Sequence, residues 1–357
     1  MNHFRYILTA VVLVALAGCA KTEFVPDVNK EVRFAVGNYA PQTKTTPVTE
    51  FTSFKSKGYL YAEGVTGSQN FFGQNGETIS YNGTDTWAPS HPYYWPKSAN
   101  SYINFISWYA NNGSADFAPN TVSETEFKII GRTIGANDNI LIADAAWHQT
   151  NNQNQYYTVG VPTLFHHVLS RVKINIKATS LVDSHDANVT YVVTVQDAVL
   201  EGVCHTGTME LVNTKMASAG TSAWQSANSN DLLWSADTAS AEDVDLVSSD
   251  TNIGTAATAI LPERSFMPQN LGDDVKLVIT YTITTKSGNT VTSIESDIPA
   301  TLVLNTIKNS SDIEITEWAP NKKYTYNIAI NPEGDAILIN PVLETDWTLG
   351  SYYVTVE

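Results

Sequence analysis

Leu169-Ser170-Arg171-Val172-Lys173-Ile174-Asn175-Ile176-Lys177-Ala178 decides the fold class. Val172, Ile174 and Ile176 alternate with Lys173, Asn175 and Lys177. A period of two sends successive side chains to opposite faces, so this is a strand with one buried and one wet face. Downstream, the same rhythm returns at Val189–Val195, Val275–Thr284, Val291–Glu295, Tyr324–Ile330 and Ala336–Ile339. Upstream it appears in Glu31-Val32-Arg33-Phe34-Ala35-Val36, where Val32, Phe34 and Val36 share a face. It recurs at Gly58–Ala62, Thr78–Tyr81, Tyr102–Trp108, Glu126–Ile130 and Ile140–Ala143. Clusters of Gly, Asn, Asp and Pro separate these runs, and Asn75-Gly76 and Asn82-Gly83 suit tight turns because both residue types tolerate positive φ. Ser53–Lys57 reads as a single helical turn, and no longer stretch carries a 3.6-residue period. Short strands with turn signals and almost no helix predict an all-β protein built of sandwiches. No fixed-period repeat indicates a solenoid or propeller.

The amide-rich stretch 149–156 reads as a linker or exposed hairpin and sets a domain junction near residue 160. The expected divisions are residues 1–18, 19–30, 31–160 and 161–357. Ser218–Asp250, rich in Ser, Ala, Asn and Asp, reads as a surface excursion in which Asp231–Trp234 docks.

The chain opens MNHFRYILTAVVLVALAGCA. Arg5 precedes an apolar run from Ile7 to Ala17, too short to span a bilayer and suited to a secretory signal. The small residues before Cys19, and the cysteine itself, fit a bacterial lipoprotein signal at residues 1–18 whose Cys19 thiol takes a diacylglyceryl group. A polar tether over 19–30 follows. Residues beyond it are expected outside the cytoplasm, at the surface of a Gram-negative envelope. Cys19 and Cys204 are the two cysteines. With Cys19 acylated no intrachain disulfide forms, so the fold rests on its core, in which Cys204 is expected as a small hydrophobe.

The formal net charge of the 357-residue chain is −16 and it holds five arginines. Nucleic-acid binding needs clustered cations to displace counterions, and no such cluster occurs. His166 and His167 are adjacent, hence on opposite faces of a strand and unable to chelate together. Asp183–Asp186 and Glu242–Asp245 resemble pieces of calcium loops but lack the glycine turn and terminal glutamate, so they read as solvated turns. No zinc spacing, nucleophile elbow, phosphate loop or dinucleotide fingerprint occurs. The residues give no positive sign of catalysis, metal or cofactor. Trp87, Tyr93, Tyr94, Trp95, Trp108 and Tyr109 crowd into one span. Exposed, rings such as Trp87, Trp95 and Trp108 would stack on sugars; buried, they are core or domain-interface residues.

Several segments in order carry a family resemblance. They are Trp87…Tyr93-Tyr94-Trp95-Pro96, the strand Ile103–Ile106, Asn137–Ala143, Pro162–Val172, Trp318-Ala319-Pro320-Asn321-Lys322-Lys323-Tyr324-Thr325-Tyr326 and Pro341…Trp347. Together they resemble the fimbrillins, the type V pilin superfamily, over nearly the whole chain. The resemblance implies two tandem transthyretin-like β-sandwich domains after the lipoprotein signal peptide, and export to the outer membrane with a lipid anchor. It further implies a trypsin-like protease that cuts behind the first strand. That strand then leaves, and the C-terminal strand of another pilin subunit fills its groove. Mapped onto this sequence, the departing knobs are Val32, Phe34 and Val36. The cut follows Lys44, where the family usually has arginine, with Lys55 and Lys57 as later alternatives. The donor is Ser351–Glu357, with Tyr352, Val354 and Val356 on one face. The expected function is therefore a pilus subunit supporting adhesion at the cell-surface fimbrium. The alternative is a glycan-binding or tip-adhesin surface lipoprotein, with host or bacterial glycans or proteins as partners, that does not form the shaft.

Overall fold

A computed structural model describes residues 31–36, 51–83, 86–98, 100–111, 119–124, 126–143, 146–149, 160–163, 165–212, 232–334 and 336–346. Among the described residues every regular element is a β-strand, apart from 3-10 turns at Thr238–Ser240 and Leu304–Thr306. The all-β expectation holds, and its cause is visible in Ser170–Ala178. Burial alternates residue by residue along this strand, with Val172, Ile174 and Ile176 wholly enclosed.

That strand lies between Thr258–Phe266, antiparallel to it, and Lys322–Asn331, parallel to it, with Ala336–Asp346 at the far edge. A second sheet runs Ala241–Val247, Val189–Cys204, Lys276–Ser287, Thr290–Val303. Inward residues of both sheets, among them Val172, Ile174, Val193, Leu200, Leu277, Tyr281 and Tyr326, form one core. Two sheets closed face to face on alternating side chains make a β-sandwich.

The N-terminal sheet has the order Val161–Thr163, Phe34–Val36, Trp87–Pro89, Glu77–Tyr81, Ser53–Tyr61, Tyr102–Asn111, Asn139–Ala143, Phe165–His167. Its core holds Val32, Phe34, Phe54, Phe72, Trp87, Trp95, Phe105 and Phe165. A third cluster lies between the other two and draws on both, with Trp108, Phe127, Ile129 and Ile142 meeting Val168, Leu169, Met209 and Met267. It is roofed by Glu126–Thr133 paired antiparallel with Thr206–Val212. Strands on both sides of residue 160 therefore share sheets and core.

Three local expectations change. Ser53–Lys57 is not a helical turn but the start of Ser53–Tyr61, paired on both sides. Its inward face carries fully buried Ser56, whose hydroxyl accepts a 3.0 Å bond from Ser107, so a hydroxyl pair stands where an apolar signal would be. The expected excursion at 218–250 contributes two strands in its described part, Leu232–Ala236 and Ala241–Val247, and Trp234 docks by donating its indole N–H to the Val168 carbonyl at 2.8 Å. Glu242–Asp245 consequently lies on a strand and not in a turn. Cys204 is buried in the middle cluster as a free thiol.

Candidate functional site

The first strand is short, and almost everything that fixes it is on its inner face. Val32, Phe34 and Val36 are at most 2% exposed, while Arg33 points to solvent and pairs with Glu31 at 3.4 Å. The Phe34 ring sits on an aromatic bed. Ring centroids lie 5.4 Å from Phe105, 5.6 Å from Phe54 and 6.4 Å from Phe72, the first two edge to face. Edge-to-face pairs add about 0.5–1.5 kcal/mol each beyond the area they bury.

Backbone bonds hold the strand on both sides. Val32 donates to the Tyr93 carbonyl at 2.7 Å, and Val161 donates to the Arg33 carbonyl at 2.6 Å. Phe34 to Val36 pair in parallel with Val161 to Thr163, and Phe34 opposes Trp87 antiparallel. Gly160 makes this approach possible. Its φ is +100°, and a Cβ there would stand 2.5 Å from the Phe34 carbonyl carbon. A glycine reaches that conformation freely, and any other residue would drive the two backbones apart.

The strand is thus a strip with an apolar, aromatic seat beneath it and polar backbone partners along both edges. Its withdrawal would uncover the seat and leave the Tyr93 carbonyl and the Val161 amide without partners. An uncovered groove with free strand edges is chemically suited to receive another extended segment.

The other candidates fall differently. Trp87, Trp95 and Trp108 are no more than 5% exposed. Trp87 packs on Phe51, Phe54 and Tyr81, Trp95 on Phe105, and Trp108 on Phe127. Placed inside the core, these three rings offer no face to a sugar, which corrects the glycan-contact expectation for them. Lys55 and Lys57 lie within the doubly paired strand Ser53–Tyr61, where Lys55 donates to the Thr78 hydroxyl at 2.7 Å and Lys57 to the Val122 carbonyl at 3.2 Å. A protease needs an exposed loop, so neither is a good cut site. Cys19, Lys44, Tyr352, Val354 and Val356 lie outside the described residues.

Asp183 is occupied within its own turn. Its carboxylate accepts the amides of His185 and Asp186 at 2.8 and 3.0 Å and the Tyr191 hydroxyl. The Tyr191 bond, then the two amides, hold its pKa down, while the same carboxylate pushes Tyr191 up to about 12. Among the described residues no group of His, Cys, Asp and Glu is placed to hold a metal ion.

Sequence reasoning did not single out Phe72, Phe105 or Gly160. Phe105 was inside a recognised strand. Phe72 lies between strands and bears no alternation. Gly160 sits beside an amide-rich stretch that gave no hint of a close backbone approach.

A family model described as fimbrillin-like matches residues 37–347. The solved structure of a fimbrial protein from Bacteroides vulgatus is similar, with 16% sequence identity, a TM-score of 0.50, and coverage of 89% of this chain and 99% of that one. A fimbrilin from Porphyromonas gingivalis matches at 10% identity and a TM-score of 0.39, over 89% of this chain and 98% of its own. No curated protein sequence matches.

Proposed function

The chain belongs to the fimbrillin-like family, and from that premise we propose that it is a pilus subunit assembled by donor-strand exchange and supporting adhesion. It reaches the outer membrane as a lipoprotein acylated on Cys19. A trypsin-like protease cuts after Lys44, and the segment carrying Val32, Phe34 and Val36 departs. The tail of another subunit, through Tyr352, Val354 and Val356, takes its place.

The observation that carries this reading is the seat of the first strand. Three enclosed side chains and two flanking rows of backbone bonds hold it. Full burial of a Val or Phe side chain is worth ~1.5–3 kcal/mol each. Removing the strand therefore costs several kcal/mol, which an incoming strand recovers by covering the same surface and meeting the same amides and carbonyls. Tyr352 is the aromatic on the apolar face of the tail and so the natural occupant of the Phe34 position.

Mass spectrometry of the N-terminus of surface-assembled protein tests this. Assembled copies should begin at Thr45, and deletion of 351–357 should abolish the protease-induced ladder on gels. Assembled copies that all retain an acylated Cys19 would overturn it.

A further inference from the structure

In a chain of net charge −16, one sheet face is basic. Arg171, Lys173 and Lys177 project from the outer side of Ser170–Ala178, opposite the buried Val172, Ile174 and Ile176. Lys323 joins them, directly across from Arg171 on the neighbouring strand. Glu263 is the carboxylate these cations meet, at 2.9 Å from Arg171 and 3.3 Å from Lys323. Lys173 and Lys177 flank Asn175, which bonds Asn327 at 3.0 Å, and they have no ion pair among the described residues.

The opposite layer of the same sandwich has the reverse character. On Ala241–Val247, Val244 and Leu246 pack against the core, so Asp243 and Asp245 face outward, and both are exposed. Asp245 stands across from Val199, and Glu201, two residues on, shares that face beside Lys276 at 3.1 Å. The two surfaces belong to the outer faces of two sheets that share one core, so they cannot meet within one molecule.

We propose that a second copy of this chain docks its Asp243–Asp245 strand on the Arg171–Lys177 face, a lateral contact between copies distinct from strand exchange. Charge supports the occupant. A strongly acidic molecule is repelled by most of its twin and attracted at its basic face. Because different surfaces meet, the contact is head to tail and repeats into a ring or an open array.

The test is sedimentation velocity on the whole chain, kept from protease, at about 0.1 M and about 1 M salt, where the Debye length is about 10 Å and 3 Å. At the lower value the repulsion between distant parts of two molecules of charge −16 is largely screened while contact pairs persist. Wild type should associate at low salt and be monomeric at high salt. The K173E/K177E and D243K/D245K variants should each stay monomeric at low salt, and their mixture should associate again. The milder K173Q/K177Q variant should weaken association at least several-fold and guards against a folding defect in the reversal. Deletion of 351–357 should change nothing, which separates this contact from the strand-exchange reading. Monomeric wild type at low salt, association surviving 1 M salt, unaltered association of the charge variants, or a mixture that fails to associate would each overturn the proposal. So would binding of an anionic polysaccharide to the basic face without self-association.

Discussion

The imidazole of His167 has no exposed surface, and its Nδ1 lies 2.7 Å from Oδ1 of Asn139. Burial drives its pKa down to about 2, and the nearby charges of Arg171, Lys323 and His166 push the same way. An unfolded histidine titrates near 6.5. Below that pH the unfolded chain binds a proton that the folded one refuses, so folding weakens as pH falls from 6.5 toward about 2, by about 1.4 kcal/mol per pH unit at most. Urea unfolding between pH 6.5 and 5 should show this slope in wild type and lose it in His167→Gln. Histidine 205, also shifted down by burial, contributes equally to both proteins and cancels in the comparison. Equal slopes in the two proteins would show that His167 is protonated in the fold. The sequence showed that His166 and His167 face apart. It could not show which one is inside, because the partner, Asn139, is on a strand far along the chain. The tryptophans are the same case. Their residue type fits a core or a sugar site equally, and only the strands around them decide.

At the scale of elements, Gly160 bears on function most directly. A Cβ at that position would clash with the backbone of the first strand, and φ of +100° is strained for any other residue. Gly160→Ala should therefore loosen the first strand selectively. Amide exchange at Val32 to Val36 should speed up at least tenfold while Val172 to Ile176 stays protected, and limited trypsin digestion should free the N-terminal segment sooner. Uniform loss of protection through both sheets would mean that the strand is no separable unit. Strand positions were otherwise legible where apolar and polar residues alternate, as Val172, Ile174 and Ile176 do with Lys173, Asn175 and Lys177 in Ser170–Ala178. They were cut short or missed for physical reasons. Ser56 and Ser107 satisfy each other inside the sheet and hide a buried face. Val189–Cys204 runs on through register shifts that break its period, and Thr290–Val303 continues past Glu295 with both faces largely wet.

Across the whole molecule, the sequence suggested a junction near 160, because composition changes there. Pairing is blind to that change. Val161–Thr163 lies against the first strand, Phe165–His167 against Asn139–Ala143, and Thr206–Val212 against Glu126–Thr133. A chain ending at 160 would lack Val161 and Phe165 from the N-terminal core and Val168, Leu169, Met209 and Leu211 from the middle one. At ~1.5–3 kcal/mol per buried side chain, that deficit matches the whole stability of a typical domain, about 5–15 kcal/mol. Residues 31–160 expressed alone should show no cooperative thermal transition and no near-ultraviolet dichroism from their buried tryptophans. A chain of 31–346, which supplies all three partner strands and the rest of the second core, should show both signals. If 31–160 unfolds cooperatively by itself, the shared middle cluster is a docking surface between finished domains. If it does not, the seat of the first strand depends on residues from the second half, and a cut behind that strand acts on a groove built by the complete chain.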